Sequence, residues 1–464
     1  MFNMKLTILQ VILSMFLLTS GYSNKNNDTI LFRIQISTTS DWTILKLKSF
    51  PEIITMRVFA VEGENLDFKL FYDEIKLTQK LDLREKRSRI VVDVLLKAQD
   101  LYNMNFLLKK GSIGKSEVKF FVLKEDIFEE VFSKVHSKNI EDGSGENEIK
   151  FAFSFRFKQE YKFISEKRHL IEIPKLILAF YYLWYKKNNW FIFPLDDTPV
   201  SFYSSSDERV MLQHIRQAKS NGIDGFICSW DEPNSYSDSN IKKFLKLSDR
   251  NNFKVAFYLE TLTENGPRTE IELYENLKYL ITNYSSHKSV IKIFDKPLIF
   301  IWATNEIPID TWRRIIRRLR SESLDATFIA MSYDLAALEV FDGLHQYGVI
   351  LLDDLKREYE PVSKIVKNYY LLSGAQKIWT ATVQPGYDER KIPKRKGFYK
   401  ERNDGKYFQE TFIRAIESNP DFILITSWNE WWEHTHIEPS KKHKNLYLSL
   451  TKKYAKKFKS VKIK

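Results

Sequence analysis

One cysteine, Cys228, serves the whole 464-residue chain, so no intramolecular disulfide can form and the fold must hold by its core alone. Internal repeats and low-complexity segments are also missing, which excludes solenoids and extended disordered tracts. Charges of the two signs are not segregated. The chain carries 72 basic and 60 acidic residues for a net charge of +12, but they are interspersed. No basic stretch is interleaved with aromatics in the manner of a nucleic-acid surface, so a nucleic-acid partner is not expected. The densest basic run, 441–464, places Tyr447, Leu450, Tyr454 and Phe458 near helical spacing. It reads as an amphipathic final helix with a solvated lysine face.

Apolar residues are plentiful at 43%, enough for a large core, and aromatics reach 14% with 10 Trp, 23 Tyr and 34 Phe. Most of these rings must pack the core, yet an excess also suits clefts that stack flat faces on sugars. At the N-terminus Lys5 precedes an apolar run, residues 6–18, with small residues Ser20, Gly21 and Ser23 beyond it. The run fits a signal peptide over 1–23 and is short for a membrane span. An uncleaved anchor is the alternative. Either reading puts the rest of the chain in an extracytoplasmic space, secreted or in the secretory lumen, and cleavage would leave no stable membrane insertion.

Residues 24–165 read as a small all-β sandwich. Runs such as 31–36, 54–59, 118–122 and 150–157 are rich in β-branched and aromatic residues, and helical patterning is scarce. Residues 141–147 are a loop by composition. From about 170 the character changes, and strands alternate with helices. Strands are expected at 176–182, 224–228, 254–258, 297–302, 327–331, 343–347, 377–383 and 422–427. Helices are expected at 208–219, 242–250, 270–283, 309–319 and 407–417. Eight strands over about 280 residues fit a (β/α)8 TIM-like barrel over 170–464. A doubly wound dinucleotide fold needs a glycine-rich turn after its first strand, and Tyr182-Leu-Trp-Tyr-Lys-Lys has no glycine.

In such a barrel the chemistry sits where strands end at the C-terminal rim. Tyr181, Tyr182 and Trp184 end the first strand, and Trp230 ends the second. Glu260 follows the third, Trp302 ends the fourth, and Tyr347 ends the sixth. After the eighth come Trp428, Asn429, Glu430, Trp431, Trp432 and Glu433. Rings for stacking and carboxylates for hydroxyl groups thus converge on one rim, as an oligosaccharide or glycan cleft requires. Glycoside hydrolysis usually needs two carboxyl groups, one to protonate the leaving oxygen and one to assist attack. Glu430 and Glu433 are three apart, and on a helical turn their Cβ atoms would stand about 5–6 Å apart. That spacing suits retention of configuration. His434-Thr-His436 with Glu438 has low specificity as a metal cluster, and no metal or organic cofactor is expected. Cys228 reads as a buried small hydrophobe and His214 as a structural mid-helix residue.

At these residues the chain resembles glycoside hydrolase family 99, the endo-α-mannosidase family. Phe180-Tyr-Tyr-Leu-Trp-Tyr185 is similar to the family's Phe-Tyr-Tyr-Pro-Trp-Tyr. The stretch from Tyr203 through His214 to Trp230 resembles its helix and second strand, and Phe257-Tyr-Leu-Glu260 its Phe-His-Ile-Glu. Gln384-Pro-Gly-Tyr-Asp388 and Gly405-Lys-Tyr-Phe408 resemble Gly-Pro-Gly-Tyr and Gly-Lys-Tyr-Tyr. Residues 427–438 resemble Ser-Phe-Asn-Glu-Trp-His-Glu-Gly-Thr-Gln-Ile-Glu. The likeness covers about 175–460. It implies a retaining mechanism in which the sugar's own 2-hydroxyl attacks its anomeric carbon. Glu430 would be the base on that hydroxyl and Glu433 the general acid/base. Glu260, Tyr181 or Tyr182, Trp230 and Tyr347 would line the nearest subsites. Trp432 and His434 stand where the family has His and Gly, Leu183 where it has Pro, and Tyr258 where it has His. A catalytically inactive glycan-binding protein on the same barrel is the competing expectation.

Overall fold

The computed structural model describes residues 29–460 except 63–65, 80–87, 100, 112–113, 138–146, 157, 159, 161 and 164–169. The expected signal peptide and most of the 141–147 loop lie outside the described residues. Ten long strands come first: β1 (Thr29–Thr38), β2 (Trp42–Ser49), β3 (Ile53–Glu62), β4 (Leu66–Leu70), β5 (Glu74–Gln79), β6 (Ser88–Lys97), β7 (Leu101–Lys110), β8 (Ser116–Lys124), β9 (Ile127–His136) and β10 (Glu148–Arg156). They form two antiparallel sheets, ordered β3-β6-β1-β8-β9 and β10-β7-β2-β5-β4. Alternate residues point inward, as a half-buried strand demands. Phe32, Ile34 and Ile36 of β1 meet Tyr102, Met104 and Phe106 of β7 in one apolar cluster. Phe106 and Phe120 bring their ring centroids to 4.6 Å across the two sheets.

Eight parallel strands follow: Leu176–Tyr181, Gly225–Trp230, Lys254–Leu259, Lys296–Ile301, Thr327–Met331, Gly343–His345, Ile378–Val383 and Phe422–Ile425. The first pairs with the eighth, and the third pairs directly with the fourth, so the sheet closes into a barrel. Helices Glu208–Ser220, Tyr236–Asn251, Glu270–Tyr284, Ile309–Ser321, Leu355–Asn368, Lys406–Glu417 and Leu446–Ser460 are spread along this half of the chain. Between the fifth and sixth strands stands only a 3-10 turn, Leu335–Glu339. Among the described residues no helix is long and apolar enough to cross a membrane.

Two elements differ from expectation. The second helix begins at Tyr236, not 242. Its first turn is polar, Tyr-Ser-Asp-Ser, and holds its place by capping: Ser235 Oγ accepts from the Asp238 N–H. The helix Leu355–Asn368 carries Pro361 in its interior, which breaks the sequence signal for a helix. Its buried Leu355, Tyr359, Val362 and Val366 nonetheless keep the spacing of one helical face.

Strand parity divides the barrel. Leu178, Phe180, Ile227, Tyr258, Leu298, Phe300, Ile329 and Leu424 pack inside it. Ile177, Ala179, Tyr181, Phe226, Cys228 and Trp230 face the helix layer. The same parity fixes which rim residues can reach the mouth.

Candidate active site at the mouth of the barrel

Residues 427–438 leave the eighth strand and fold back on themselves. Ser427 N–H donates to the Thr435 carbonyl (2.8 Å) and Ile437 N–H to the Ser427 carbonyl (2.9 Å). Residues 431–434 between them make a hydrogen-bonded turn, not the helical turn that sequence spacing suggested. The loop is tied to the first strand by Asn429, whose Oδ1 accepts the Tyr182 N–H (2.8 Å) and whose Nδ2 donates to the Tyr182 carbonyl (2.9 Å). Glu430 N–H donates to Ser427 Oγ at 2.7 Å, and Trp432 N–H donates to Glu430 Oε1 at 3.1 Å. These bonds leave Glu430 with one committed oxygen. Its Oε2, like Glu433 Oε2, Tyr347 Oη and Trp184 Nε1, is buried without a well-formed hydrogen bond.

The carboxyl groups are tuned by burial and by each other. Desolvation holds Glu430 well above the usual carboxylate range, and the neighbouring charge of Glu433 adds to this. Glu433 is raised by burial too, against the Arg395 guanidinium, which pulls it down. Arg395 Nη2 stands 3.7 Å from Glu433 Oε1, and its Nη1 lies 3.6 Å from Glu389. Tyr347 and Tyr387 also favour the ionised form of Glu433. As a pair, two buried carboxyl groups whose charges repel retain a proton where isolated ones would have lost theirs. Glu260 is the third raised carboxyl, pushed up to about 8 by burial, while the Ser229 hydroxyl donates to it at 2.7 Å and works the other way.

Aromatic rings wall this group. Tyr182 stacks on Trp184 with centroids 4.3 Å apart, and Trp184 stacks on Trp432 at 5.7 Å. Tyr258 lies nearly parallel to Tyr347 at 6.3 Å. Trp302 packs on the inner cluster as well. Thus Tyr182, Trp184, Glu260, Trp302, Tyr347, Glu430 and Glu433 share the barrel mouth.

Four rim candidates do not. Tyr181 faces outward, stacks on Phe226 at 4.5 Å and meets His214 Nδ1 through its hydroxyl at 3.0 Å. Trp230 also faces outward; its Nε1 donates to Asp238 at 3.0 Å and its ring stacks on Tyr279. Adjacent residues on a strand point to opposite faces, so Tyr181 turns away because Tyr182 turns in, and Trp230 because Ser229 does. Asn429 and Trp431 are fully buried supports: Trp431 Nε1 donates to Glu438 at 3.1 Å, and its ring lies on His436 at 3.7 Å. Glu438 also accepts from Tyr203 (2.8 Å) and meets His214 Nε2 (2.9 Å). His436 instead pairs with Asp197 at 3.2 Å. The residues of the His-Thr-His segment therefore go to separate partners. Sequence reading overlooked Ser229, Tyr258, Tyr387 and Arg395 as site members. Tyr258 was accessible by parity, two residues before Glu260. Arg395 gave no signal, because it stands in a loop of five basic residues that reads as solvated surface.

The pattern that defines glycosyl hydrolase family 99 matches residues 197–460. A human glycoprotein endo-alpha-1,2-mannosidase-like protein is 26% identical over 308 residues, 57% of this chain and 66% of the relative. The rat glycoprotein endo-alpha-1,2-mannosidase is 27% identical over the same length, 65% of its own chain. This chain therefore spans just under two thirds of the length of these relatives. The GH99 endo-alpha-mannosidase structure from Bacteroides thetaiotaomicron, solved with bis-tris propane, overlays with a TM-score of 0.54 at 24% identity, over 61% of this chain and 97% of that one. That likeness concerns the barrel fold. With the family pattern matched over more than half its length, the chain belongs to glycosyl hydrolase family 99.

Proposed function

We propose that the chain is a retaining, endo-acting glycoside hydrolase that cleaves α-mannosidic or related α-linked glycans. The observation that carries this reading is the buried pair Glu430 and Glu433, raised together in an aromatic mouth. The names of the family relatives support a mannose-containing glycan. Glu430 takes the proton from the sugar's 2-hydroxyl, and that oxygen attacks the anomeric carbon from the face opposite the leaving group. Glu433 gives its proton to the departing glycosidic oxygen. A 1,2-anhydro sugar results. Glu433 then takes a proton from water as the water opens the ring, and Glu430 returns its proton to O2. Two displacements retain the configuration. Glu260, Tyr182, Trp184, Trp302 and Tyr347 bind the sugars. Residues 24–165 serve as an accessory domain to the hydrolase domain 170–464, and the N-terminal apolar run directs both to an extracytoplasmic space.

One observation favours a second reading, a glycan-binding protein without turnover. Arg395 at 3.7 Å from Glu433 works against the burial that raises it, and so against the protonated form that a proton donor needs. A screen of defined α-mannosides and N-glycans separates the two. Hydrolysis with retained anomeric configuration, lost in Glu433→Gln while glycan binding persists, is the expected result. Turnover unchanged in Glu433→Gln would sink the first reading.

A further inference from the structure

A second cavity, of about 670 Å3, opens beside the catalytic turn. Its volume lies within the range of small-molecule sites, about 300–1,000 Å3. Neither Glu430 nor Glu433 lines it, nor do Tyr182, Tyr258 or Tyr347. Its walls come from three segments, 196–197, 387–406 and 434–443, and the last two adjoin the mouth through Tyr387 and Glu433. The partition is thin. Asp388, on the cavity wall, donates its N–H to the Glu433 carbonyl at 2.9 Å, and His434 follows Glu433 directly.

The lining carries charges of both signs in equal number, so it favours neither an anion nor a cation. Several acids are already engaged. Asp388 is paired with Arg390 at 2.7 Å, Asp196 with Lys391, and Asp197 with His436. Arg402 is engaged as well. Its Nη2 donates to the His434 carbonyl (2.7 Å) and the His436 carbonyl (2.9 Å). Its guanidinium lies 4.6 Å from the centre of the Tyr447 ring, and the buried Tyr447 hydroxyl is its side-chain partner. Tyr387 and Tyr399 add ring surface to this polar wall. Donors, acceptors and rings without net charge match a neutral, hydroxyl-rich ligand.

We propose that this cavity is a second sugar-binding site, which seats a neutral distal residue of the glycan whose cleaved bond lies at Glu433. Asp404 and Lys442 provide an acceptor and a donor to hydroxyl groups, and Tyr399 covers one sugar face. The inference rests on the glycosidase reading for the identity of the ligand. Its chemistry stands on the cavity itself. Binding there would hold the 433–436 segment against the 387–406 loop and so favour branched or extended glycans over short ones.

The test uses the full chain and α-mannobiose, with binding followed by calorimetry and by saturation-transfer NMR. Two sites are expected in the native protein. In Tyr399→Ala/Asp404→Ala the second should weaken at least about tenfold, the loss of one or two hydrogen bonds. Both positions lie at the exposed rim, so the fold should survive. Lys442→Ala, read by the same measurement, gives an independent check. A single site in the native protein, or two sites untouched by either variant, overturns the proposal. Hydrolysis is scored separately. An absence of product with second-site binding intact defeats the glycosidase reading and leaves the sugar site standing.

Discussion

At the scale of single residues, the site turns on which groups hold protons. In the proposed mechanism Glu433 must be protonated to donate to the leaving oxygen, and Arg395 opposes that state. Replacing Arg395 by Met removes the opposing charge and keeps the stem, so the pKa of Glu433 rises. The alkaline limb of the kcat/KM profile, where the acid is lost, should then move to higher pH by about one unit. A limb that stays in place separates Arg395 from the acid. Glu260 offers a sign test on stability. Its folded pKa is about 8, above its unfolded value of about 4.5. The folded state therefore binds more protons between these two values, and stability falls as pH rises through that window. Glu260→Gln abolishes the titration. Its melting temperature should exceed that of the native protein by at least about 2 °C at pH 8, with the gap narrowing toward pH 5. Thermal scans across that range decide it, and a gap independent of pH contradicts the raised value.

At the scale of elements, strand parity separates the residues of the mouth from those of the helix layer. Tyr182 reaches the mouth and Tyr181 the helix layer, although both stand in one aromatic run. Tyr181→Phe should leave KM unchanged while costing about 1–2 kcal/mol in denaturant unfolding, because His214 Nδ1 loses its buried partner. Trp184→Ala should instead raise KM severalfold, in addition to the stability lost with its stacking on Tyr182 and Trp432. The barrel itself was legible. Its interior strands are short apolar runs bounded by turns, and all eight lie where the pattern puts them, to within a few residues. The crowding of carboxylates and tryptophans at one strand end, the candidate segment 428–433, was legible too. Its local shape was not. Glu-x-x-Glu is compatible with a helical turn, and only the long-range bonds from Ser427 to Thr435 and Ile437 select the folded-back loop. Parity was readable in principle, but it needs the strand ends to within one residue, and a shift of one exchanges Tyr181 for Tyr182. Helix Leu355–Asn368 was hidden by Pro361, whose cost is met by tertiary packing of the face around Tyr359 and Val362.

At the scale of the whole molecule, the two halves are joined by a shared apolar core. One buried cluster runs from the sandwich interior through the helix layer of the barrel. On the outer face of the first sheet, Thr55 is fully buried opposite Leu95, and its hydroxyl donates to the Ile365 carbonyl at 3.0 Å. Leu70 N–H donates to Asp334 at 2.8 Å, and Lys364 pairs with Glu52. Both barrel segments touched here, the 3-10 turn Leu335–Glu339 and the helix Leu355–Asn368, follow the fifth and sixth strands. The turn stands where an ideal barrel has a helix, so the sandwich covers what that helix would have covered. Residues 170–464 alone should therefore unfold at a lower temperature than the full chain, and bind a hydrophobic dye at the uncovered face. The mouth lies on other loops, so turnover of a short substrate at low temperature should persist. Equal melting temperatures would show instead that the sandwich is a freely hinged module. Loss of turnover in a folded barrel would tie residues 24–165 to the chemistry itself.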